Sequence, residues 1–311
     1  MGKKIAIVGG TGDIGSAIGS RLLSMETIDE IVLIGSNPKK AEGKQLDFRD
    51  AAAITGSYTS ISCSTDLEAV EDSDIVVVTA GQVRTHDMRR EDLLQHNTAI
   101  IRKAGEAIRK KASDAFVIVV TNPVDSMTAF MHKVIGGSPK KICGMSQVDS
   151  ARFKSAITEV LSVEAETVTN AMVLGEHGET MVPLFSQVKI NGRPIEVTDE
   201  QRKEIHKWVQ GAGKRIINLL EKGGAAQAPA AGVVNIVKSH LKPEDRIITC
   251  VALYDNYGIS GVFMGAATLI NTHGVTIQEI SLSNEEKRSL YASAEHIKKT
   301  NSHLEPVYQF S

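Results

Sequence analysis

We predict an α/β protein in which an N-terminal doubly wound parallel sheet precedes a C-terminal α+β domain. Apolar runs typical of buried parallel strands alternate with helical patterns up to about Gly144. A glycine-rich turn, residues 9–15, follows the first of these runs. Beyond Gly144 the alternation gives way to a long helical pattern and paired strand-like runs. The 311 residues exceed the usual size of one domain, so we divide the chain into domains 1–143 and 144–311.

The composition is that of a folded protein without a polyanion-binding charge pattern. Hydrophobic residues make up 42% and charged residues 23%, and 35 basic against 37 acidic side chains give a net charge of -2. This balance argues against nucleic acid and anionic membranes as partners. No apolar run approaches the roughly 20 residues that span a bilayer, and no signal peptide opens the chain. Cys63, Cys143 and Cys250 lie outside any metal-ligand spacing, so we predict reduced buried thiols, no metal and a cytoplasmic location.

The first elements indicate a dinucleotide-binding turn. Residues 3–8, 16–23 and 31–34 are typical of a strand, a helix and a second strand. Counted from Gly9, the glycines between them follow a G-x-x-G-x-x-G spacing, a variant of the usual fingerprint. Such glycines let backbone amides and the helix N-terminus approach a pyrophosphate; the alternative is a glycine-rich turn without a ligand. The predicted cofactor contacts of the turn are Gly9, Gly10, Thr11, Gly12, Asp13, Ile14 and Gly15.

The residues after the second strand favour NADP over NAD. An Asp or Glu at this point normally accepts hydrogen bonds from the adenosine ribose of NAD, and here the position holds Gly35. The alternative is that the lysines that follow only begin a solvated helix. We predict NADP as the cofactor, with NAD as a second one. The groups that would surround a 2'-phosphate are those of Gly35, Ser36, Asn37, Lys39 and Lys40.

Arginines follow the next central strand. Residues 75–79 are typical of a buried parallel strand, and a polar segment lies between them and a helical pattern over 91–111. A guanidinium binds a carboxylate through two parallel hydrogen bonds, so this segment suits a dicarboxylate. The alternative is a surface loop with solvated side chains. The arginines of this segment are Arg84, Arg89 and Arg90.

A further strand end supplies an amide. Residues 116–120 form a buried strand pattern that leads into Asn122, and residues 141–144 complete the sixth strand. Because the carboxyl ends of parallel strands form the ligand edge of such a sheet, Asn122 is placed to contact both substrate and cofactor. The alternative is an ordinary turn asparagine.

The candidate acid/base is His177, which lies between two glycines and two carboxylates in Gly-Glu-His-Gly-Glu. Histidine takes or gives a proton near neutral pH; the alternative is a solvated histidine in a surface turn. Asp149 and Arg152 are three residues apart, so a helix would place both on one face. The carboxylate could then orient His177, and the guanidinium could hold an anionic substrate. The alternative is a surface ion pair worth under ~1 kcal/mol.

The rest of the second half predicts the elements of the α+β domain. Residues 167–173 are strand-like, and Asn191-Gly192 indicates a hairpin. The remaining predictions are a turn over 223–232, antiparallel strands over 246–254 and 262–270, and a helix over 284–310 capped by Ser283 and Glu286. Apolar residues at three- and four-residue spacing also predict an amphipathic helix over 199–222, whose buried face would consist of Ile205, Trp208, Val209, Ala212, Ile216, Leu219 and Leu220.

Five motifs in one order resemble the lactate/malate dehydrogenase family over essentially the whole chain. The resemblance implies a Rossmann fold and reversible hydride transfer between (S)-malate and NAD(P), giving oxaloacetate. Gly35 and Ser36 make the chain most similar to NADP-preferring malate dehydrogenases of the lactate-dehydrogenase-like type. The resemblance also implies a homotetramer or a homodimer. The motifs are the glycine turn, the arginine segment, Thr121-Asn122-Pro123-Val124-Asp125, Asp149-Ser150-Ala151-Arg152-Phe153 and Gly175-Glu176-His177-Gly178-Glu179.

Each matching residue carries an implied role. His177 would accept the hydroxyl proton, Asp149 would stabilise its imidazolium, and Arg152 would bind the C1 carboxylate. Arg90 would polarise the substrate carbonyl, and Arg84 would meet the second carboxylate of malate. The implied contacts at the other strand ends are Asn97, Val120, Thr121 and Asn122.

Some residues bear on rival functions. Thr85-His86-Asp87 departs from the Lys-Pro-Gly common at this place in the family, which puts loop closure in question. The nearest alternative is a lactate or other 2-hydroxymonocarboxylate dehydrogenase, against which Arg84 argues because a buried unpaired arginine is costly. Short-chain dehydrogenases share the Gly-Gly-Thr-Gly opening but need a Tyr-x-x-x-Lys pair that this chain lacks. A cofactor-binding regulator would not need the set around His177.

Overall fold

The computed structural model describes residues 2–82, 90–221 and 223–302, apart from the side chains of residues 90–93. Its strands are β1 (Lys3–Val8), β2 (Ile28–Ile34), β3 (Ser60–Ser64), β4 (Ile75–Val78), β5 (Phe116–Val119), β6 (Ile142–Gly144), β7 (Val168–Thr169), β8 (Val173–Leu174), β9 (Val182–Pro183), β10 (Lys189–Ile190), β11 (Arg193–Pro194), β12 (Ile248–Asn256), β13 (Ile259–Asn271) and β14 (Gly274–Ile277). Its α-helices are α1 (Asp13–Leu22), α2 (Pro38–Thr55), α3 (Arg90–Lys111), α4 (Val124–Ile135), α5 (Gln147–Leu161), α6 (Asp199–Leu220), α7 (Gln227–Leu241) and α8 (Asn284–Ser302).

One nine-stranded sheet runs through the molecule in the order β14-β13-β12-β6-β5-β4-β1-β2-β3. The strands from β6 to β3 are parallel and alternate with helices along the chain, which confirms the predicted doubly wound sheet. At the β6 edge the sheet continues with the antiparallel strands β12, β13 and β14, and Val251 lies opposite Gly144. The division at residue 144 stays a prediction, because hydrogen bonds of the sheet cross it.

Alternation along the central strands gives the sheet two apolar faces. Ile5 and Ile7 of β1 belong to the core on one face, whereas Ala6 and Val8 belong to the core on the other. Both sides of these strands are therefore buried, which is why the parallel strands are continuous apolar runs rather than alternating ones. A third, smaller core includes Phe153 of α5 and Val209 of α6.

Several local predictions for the second half are wrong. The strand expected over 167–173 is two strands, β7 and β8, in different sheets, because Asn170 between them has a left-handed φ of 57°. The turn expected over 223–232 ends early, since α7 already begins at Gln227. At the end of α6, Leu219 and Leu220 are 77% and 52% exposed. The last turn of the helix therefore extends beyond the apolar core, and the prediction that these two residues are buried is wrong.

Other predictions for this half are confirmed. The strands β12 and β13 are antiparallel. Ser283 Oγ accepts a hydrogen bond from Glu286 N at 3.2 Å, and a Glu286 carboxylate oxygen accepts one from Ser283 N at 2.8 Å, so the two residues form the predicted capping box. The helix that follows is described as far as Ser302.

The described ranges contain three free thiols and lack two further features. No helix there is both long and apolar enough to cross a bilayer. Within the same ranges no group of three or more His, Cys, Asp or Glu side chains is arranged to hold a metal ion. The three cysteines are free; Cys143 and Cys250 are buried, but Cys63 is only partly buried, so the prediction of a buried thiol is wrong for Cys63.

The joint between β6 and β12 has no room for a side chain at Gly144. A Cβ atom there would lie 2.5 Å from Thr128 Oγ1 and 2.8 Å from Val251 Cβ. We expect Gly144→Ala to lower the free energy of unfolding by about 1–3 kcal/mol, measured by urea denaturation. Gly43→Ala is the matched control, because the same Cβ in the middle of α2 meets no atom within 4 Å. It should raise stability by roughly 0.5–1 kcal/mol, and equal effects at both positions would contradict the tight joint.

Candidate active site

The glycine turn between β1 and α1 lies at the carboxyl edge of the parallel strands. Gly9 has φ of 88°, and a Cβ atom on it would lie 2.6 Å from Ala80 N. A Cβ atom on Gly15 would lie 2.4 Å from Gly9 O. Gly12, the N-cap of α1, makes no side-chain capping hydrogen bond, so the first amides of α1 are open to an anion. The turn therefore fits a pyrophosphate, and counted from Gly10 it also satisfies the usual G-x-G-x-x-G spacing.

The end of β2 is packed against this turn. A Cβ atom on Gly35 would lie 2.1 Å from Thr11 Oγ1 and 2.9 Å from Thr11 Cβ, and Thr11 itself is buried. Ser36 and Lys39 are exposed. Asn37 is the N-cap of α2 and accepts a hydrogen bond from the backbone N of residue 40 at 3.1 Å, so its carbonyl group is engaged in capping.

The residues expected at the ends of β4 and β5 are brought together. Asn97 of α3 is fully buried; its Oδ1 accepts a hydrogen bond from Gln82 N at 2.8 Å, and its Nδ2 donates to Asn122 O at 2.7 Å. Thr121 Oγ1 donates to Ala80 O at 2.7 Å. The side chains of Asn97 and Thr121 thus fix the loop after β4 to the loop after β5. Asn122 is exposed at the carboxyl edge of the sheet. Direct cofactor contacts of these residues and of the buried Val120 stay predictions.

Two predicted arginines fall outside this description. Arg84 lies in the segment 83–89, beyond the described residues. Arg90 is the first residue of α3, and its side chain is outside the description as well. Their roles stay predictions.

His177, Asp149 and Arg152 form a connected chain of charges. The Asp149 carboxylate, whose side chain is 3% exposed, lies with Oδ2 at 2.5 Å from His177 Nδ1. Its Oδ1 accepts a hydrogen bond from Arg152 Nη1 at 3.3 Å, so α5 presents both side chains on one face. Among the described residues, nothing partners the buried Nε of Arg152. The three residues predicted from sequence therefore lie together, with donors of Arg152 left over for an anion.

The loop that carries His177 is hydrogen-bonded to β13. Gly175 and Gly265 exchange two backbone hydrogen bonds of 2.9 and 2.8 Å. The next amide, Glu176 N, donates to Ser293 Oγ of α8 at 2.8 Å. His177 is thereby held by the antiparallel half of the sheet and by the last described helix.

Two carboxylates beside His177 were missed as functional residues. Asp125, in the first turn of α4, accepts a hydrogen bond from His177 N at 2.9 Å. Glu176 is buried and accepts a hydrogen bond from Thr180 Oγ1 at 2.7 Å. Both lie inside the quoted motifs, and the signal was a carboxylate in the same motif as an assigned residue.

The buried environment shifts the pKa values of this cluster. Burial raises the pKa of Asp125 to about 7, against the opposing effect of the His177 charge and amide. Burial also lowers the pKa of His177, but the charge and hydrogen bond of Asp149, with a further contribution from Asp125, outweigh it and leave that pKa above its ordinary value. The site therefore favours an imidazolium that can donate a proton near neutral pH.

A dinucleotide-binding sheet whose ligand edge carries a buried histidine–carboxylate pair and an arginine defines an oxidoreductase of the nicotinamide-dependent class. Family models agree: "lactate/malate dehydrogenase, NAD binding domain" matches residues 3–144, and "lactate/malate dehydrogenase, alpha/beta C-terminal domain" matches residues 146–306. The chain belongs to the lactate/malate dehydrogenase family.

Relatives carry both names of the family. A malate dehydrogenase of Pelagibacter ubique is 36% identical over 306 residues, which is 95% of each chain. The crystal structure of malate dehydrogenase from Plasmodium falciparum is 33% identical with a TM-score of 0.92, over 99% of this chain and 100% of that one. A lactate dehydrogenase from Cryptosporidium parvum, complexed with lactic acid and nicotinamide adenine dinucleotide, is 32% identical with a TM-score of 0.92, over 98% of each chain.

Replacing the partner of His177 tests the electrostatics of the site. We expect Asp149→Asn to lower the pKa of His177 below its value in the parent protein, because burial then acts without the opposing carboxylate. The measurement is an NMR titration of the histidine ring signals, with His177→Asn used to assign the resonance. Glu295→Gln, which breaks an exposed pair with Lys298, is the control and should leave that pKa unchanged.

The same variant should alter the pH dependence of stability. Because the pKa of His177 is raised in the folded protein, its protonation stabilises the fold below the unfolded value of about 6.5. This contribution is lost as the pH rises through the folded-state pKa. The stability advantage of the parent protein over Asp149→Asn should thus be larger at pH 6 than at pH 9, and a pH-independent difference would contradict the assigned interaction.

Proposed function

We propose that this protein is a malate dehydrogenase that transfers a hydride reversibly between (S)-malate and NADP, giving oxaloacetate. The observation that carries the proposal is the buried chain from His177 through Asp149 to Arg152. It combines a proton donor and acceptor with a guanidinium that keeps free donors for a substrate carboxylate. The second candidate is a lactate dehydrogenase, which the similarity to the Cryptosporidium parvum enzyme favours.

The proton and the hydride leave the substrate by different routes. When bound, the nicotinamide supplies the acceptor for the hydride from C2 of malate. His177 takes the hydroxyl proton at Nε2, because Nδ1 faces Asp149. In the reverse direction the imidazolium, favoured by the raised pKa of His177, returns the proton to the carbonyl oxygen. Arg152 holds the C1 carboxylate and so fixes C2 beside His177.

Arg84 and Arg90 are proposed as the remaining substrate contacts. Arg84 follows Gln82 by two residues, and Asn97 holds the backbone of Gln82 at the ligand edge of the sheet. The segment between Gln82 and α3 therefore begins at the site. In this proposal Arg84 binds the second carboxylate of malate, and Arg90 stabilises charge on the reacting oxygen. Closure of this segment would exclude water from the reaction.

The preference for NADP is supported by the packing of Gly35. The acidic residue that would accept hydrogen bonds from the ribose of NAD is absent at this position, and Thr11 fills the space where its Cβ would lie. Lys39 and Lys40 are exposed in the first turn of α2, which contains no acidic residue. The helix N-terminus and two lysines suit the two negative charges of a 2'-phosphate. NAD is proposed as the second cofactor.

Assembly and compartment complete the proposal. Domain 1–143 would bind the cofactor and domain 144–311 the substrate. A homotetramer or a homodimer is supported by large apolar side chains exposed on and after α2, namely Leu46, Ile54 and Tyr58. A cytoplasmic location is supported by the three free thiols.

Nicotinamide absorbance tests substrate and cofactor together. We expect the purified protein to reduce oxaloacetate with a kcat/KM roughly 100-fold or more above that for pyruvate, because in this proposal the methyl group of pyruvate leaves Arg84 without a carboxylate partner. We expect NADPH to be used about tenfold or more better than NADH, the equivalent of one charge-assisted hydrogen bond. The control is heat-denatured protein in all four mixtures.

The possible results of that assay test the substrate, the cofactor and the enzymatic activity separately. A preference for pyruvate would replace malate by lactate as the substrate and remove Arg84 from the site. A preference for NADH would overturn the role of Gly35 and Thr11 but leave the chemistry of His177 intact. No turnover in any mixture would reject the enzymatic proposal.

Exchanging the residues at Gly35 and Thr11 tests the source of the cofactor preference. Gly35→Asp alone should reduce turnover with NADPH without gaining NADH, because the new Cβ meets both Oγ1 and Cβ of Thr11. The double variant Thr11→Gly with Gly35→Asp should improve kcat/KM for NADH by roughly tenfold over Gly35→Asp. Thr11→Gly alone is the control and should keep the NADPH preference. Equal NADH use by the single and double variants would show that Thr11 does not restrict this position.

A further inference from the structure

A buried carboxylate without a complete set of partners lies behind the candidate acid/base. Asp125 is 3% exposed, and its Oδ2 accepts the hydrogen bond of His177 N at 2.9 Å. Its other oxygen, Oδ1, has no hydrogen-bond partner within the described part of the chain. A buried ionised carboxylate normally has partners for both oxygens, because leaving one unmet costs the desolvation of a charge. A proton on the unpartnered oxygen would relieve that cost.

The charged groups around Asp125 come from three elements. The loop after β8 contributes His177 and Glu176, and α5 contributes Asp149, whose partner Arg152 acts on His177. From α8, His296 faces the Glu176 carboxylate at 3.6 Å. Three carboxylates and two histidines thus belong to this cluster, and His177 is the histidine that contacts both Asp125 and Asp149. When His177 is neutral, Asp125 loses its nearest compensating positive charge.

We propose that Asp125 is a positioning residue that holds His177 through the backbone amide and, by its own protonation on Oδ1, sets how strongly the site favours the imidazolium. Ionised Asp125 adds a second negative charge beside His177 and stabilises the imidazolium. Protonated Asp125 keeps the hydrogen bond to His177 N but leaves Asp149 as the charged neighbour. Asp125 exchanges this proton with solvent as the pH changes, so its charge adjusts the acid/base balance of His177 across the neutral range. The inference rests on the proposed role of His177 as acid and base and extends it to a second proton-binding group.

The two functions of Asp125 predict different effects of two substitutions. Asparagine keeps an oxygen that can accept the hydrogen bond of His177 N and resembles the protonated carboxyl group, but it cannot ionise. Alanine removes both the acceptor and the charge. Asp125→Asn should therefore keep His177 in place and change only its protonation, whereas Asp125→Ala should also free the loop.

The decisive readout is the pH profile of kcat/KM in both directions. In Asp125→Asn the rise of kcat/KM with pH for malate oxidation should occur at lower pH, since His177 loses a negative neighbour, and the rate at pH 8 relative to the plateau should increase roughly threefold. The fall of kcat/KM with pH for oxaloacetate reduction should also occur at lower pH. The plateau kcat should stay within about threefold of that of the parent protein. Asp125→Ala should lower kcat at every pH. A profile of Asp125→Asn that superimposes on the parent profile, or a uniform loss like that of alanine, overturns the proposal.

A second measurement does not depend on activity. Since the carboxyl pKa of Asp125 is raised in the folded state, ionisation of Asp125 destabilises the parent protein as the pH rises from about 4 to about 7. The urea midpoint of Asp125→Asn relative to that of the parent should therefore increase between pH 5 and pH 8. A difference that does not change with pH overturns the proposal even if the substrate has been assigned wrongly.

The parent protein itself supplies the check if Asp125→Asn does not fold. The ring signal of His177, assigned by NMR, should titrate in two steps, because protonation of Asp125 alters the charge beside it. A single step over pH 5–9 would overturn the proposal. With turnover absent but two steps present, the coupling of Asp125 to His177 would stand and the proposed function would fall.

Discussion

The pairing of β6 with β12 is the constraint on which the site depends. It joins a parallel half, which carries Asp125 and Asp149 just after its strands, to an antiparallel half that holds the His177 loop through Gly265. A slip of one residue at this joint would separate Nδ1 and Oδ2 atoms that now lie 2.5 Å apart. The absence of a side chain at Gly144 is therefore a requirement of the geometry of the candidate site as well as of packing.

Burial makes the charges at this site both costly and useful. An isolated carboxylate in a dry interior would be strongly destabilised, but Asp149 shares its two oxygens between His177 and Arg152. This arrangement raises the proton affinity of the imidazole while leaving donors of the guanidinium open. Exclusion of water therefore strengthens the interactions between His177 and Asp149. In this way a few buried side chains set the pKa of a histidine near neutral pH.

The sequence predicted those parts of the fold that depend on hydrophobic pattern. Central strands such as β4 are recognisable because both of their faces are buried, and His177 is recognisable because its neighbours are small and acidic. Features set by one dihedral angle or by distant contacts were not predictable. The left-handed φ of Asn170 divides a run of residues that otherwise has the composition of a strand. The importance of Asp125 likewise depends on an oxygen that tertiary packing leaves unpartnered.

The contact of Gly35 with Thr11 also has a consequence for how the chain can diverge. Two positions far apart in sequence share one volume, so the fitness of a residue at one depends on the residue at the other. Under the NADP preference proposed above, a lineage changing from NADP to NAD would need a smaller residue at position 11 before an acidic residue at position 35 could be selected. The reverse order would pass through a protein whose crowded cofactor pocket serves neither nucleotide, so the order of the two substitutions would matter as well as their number.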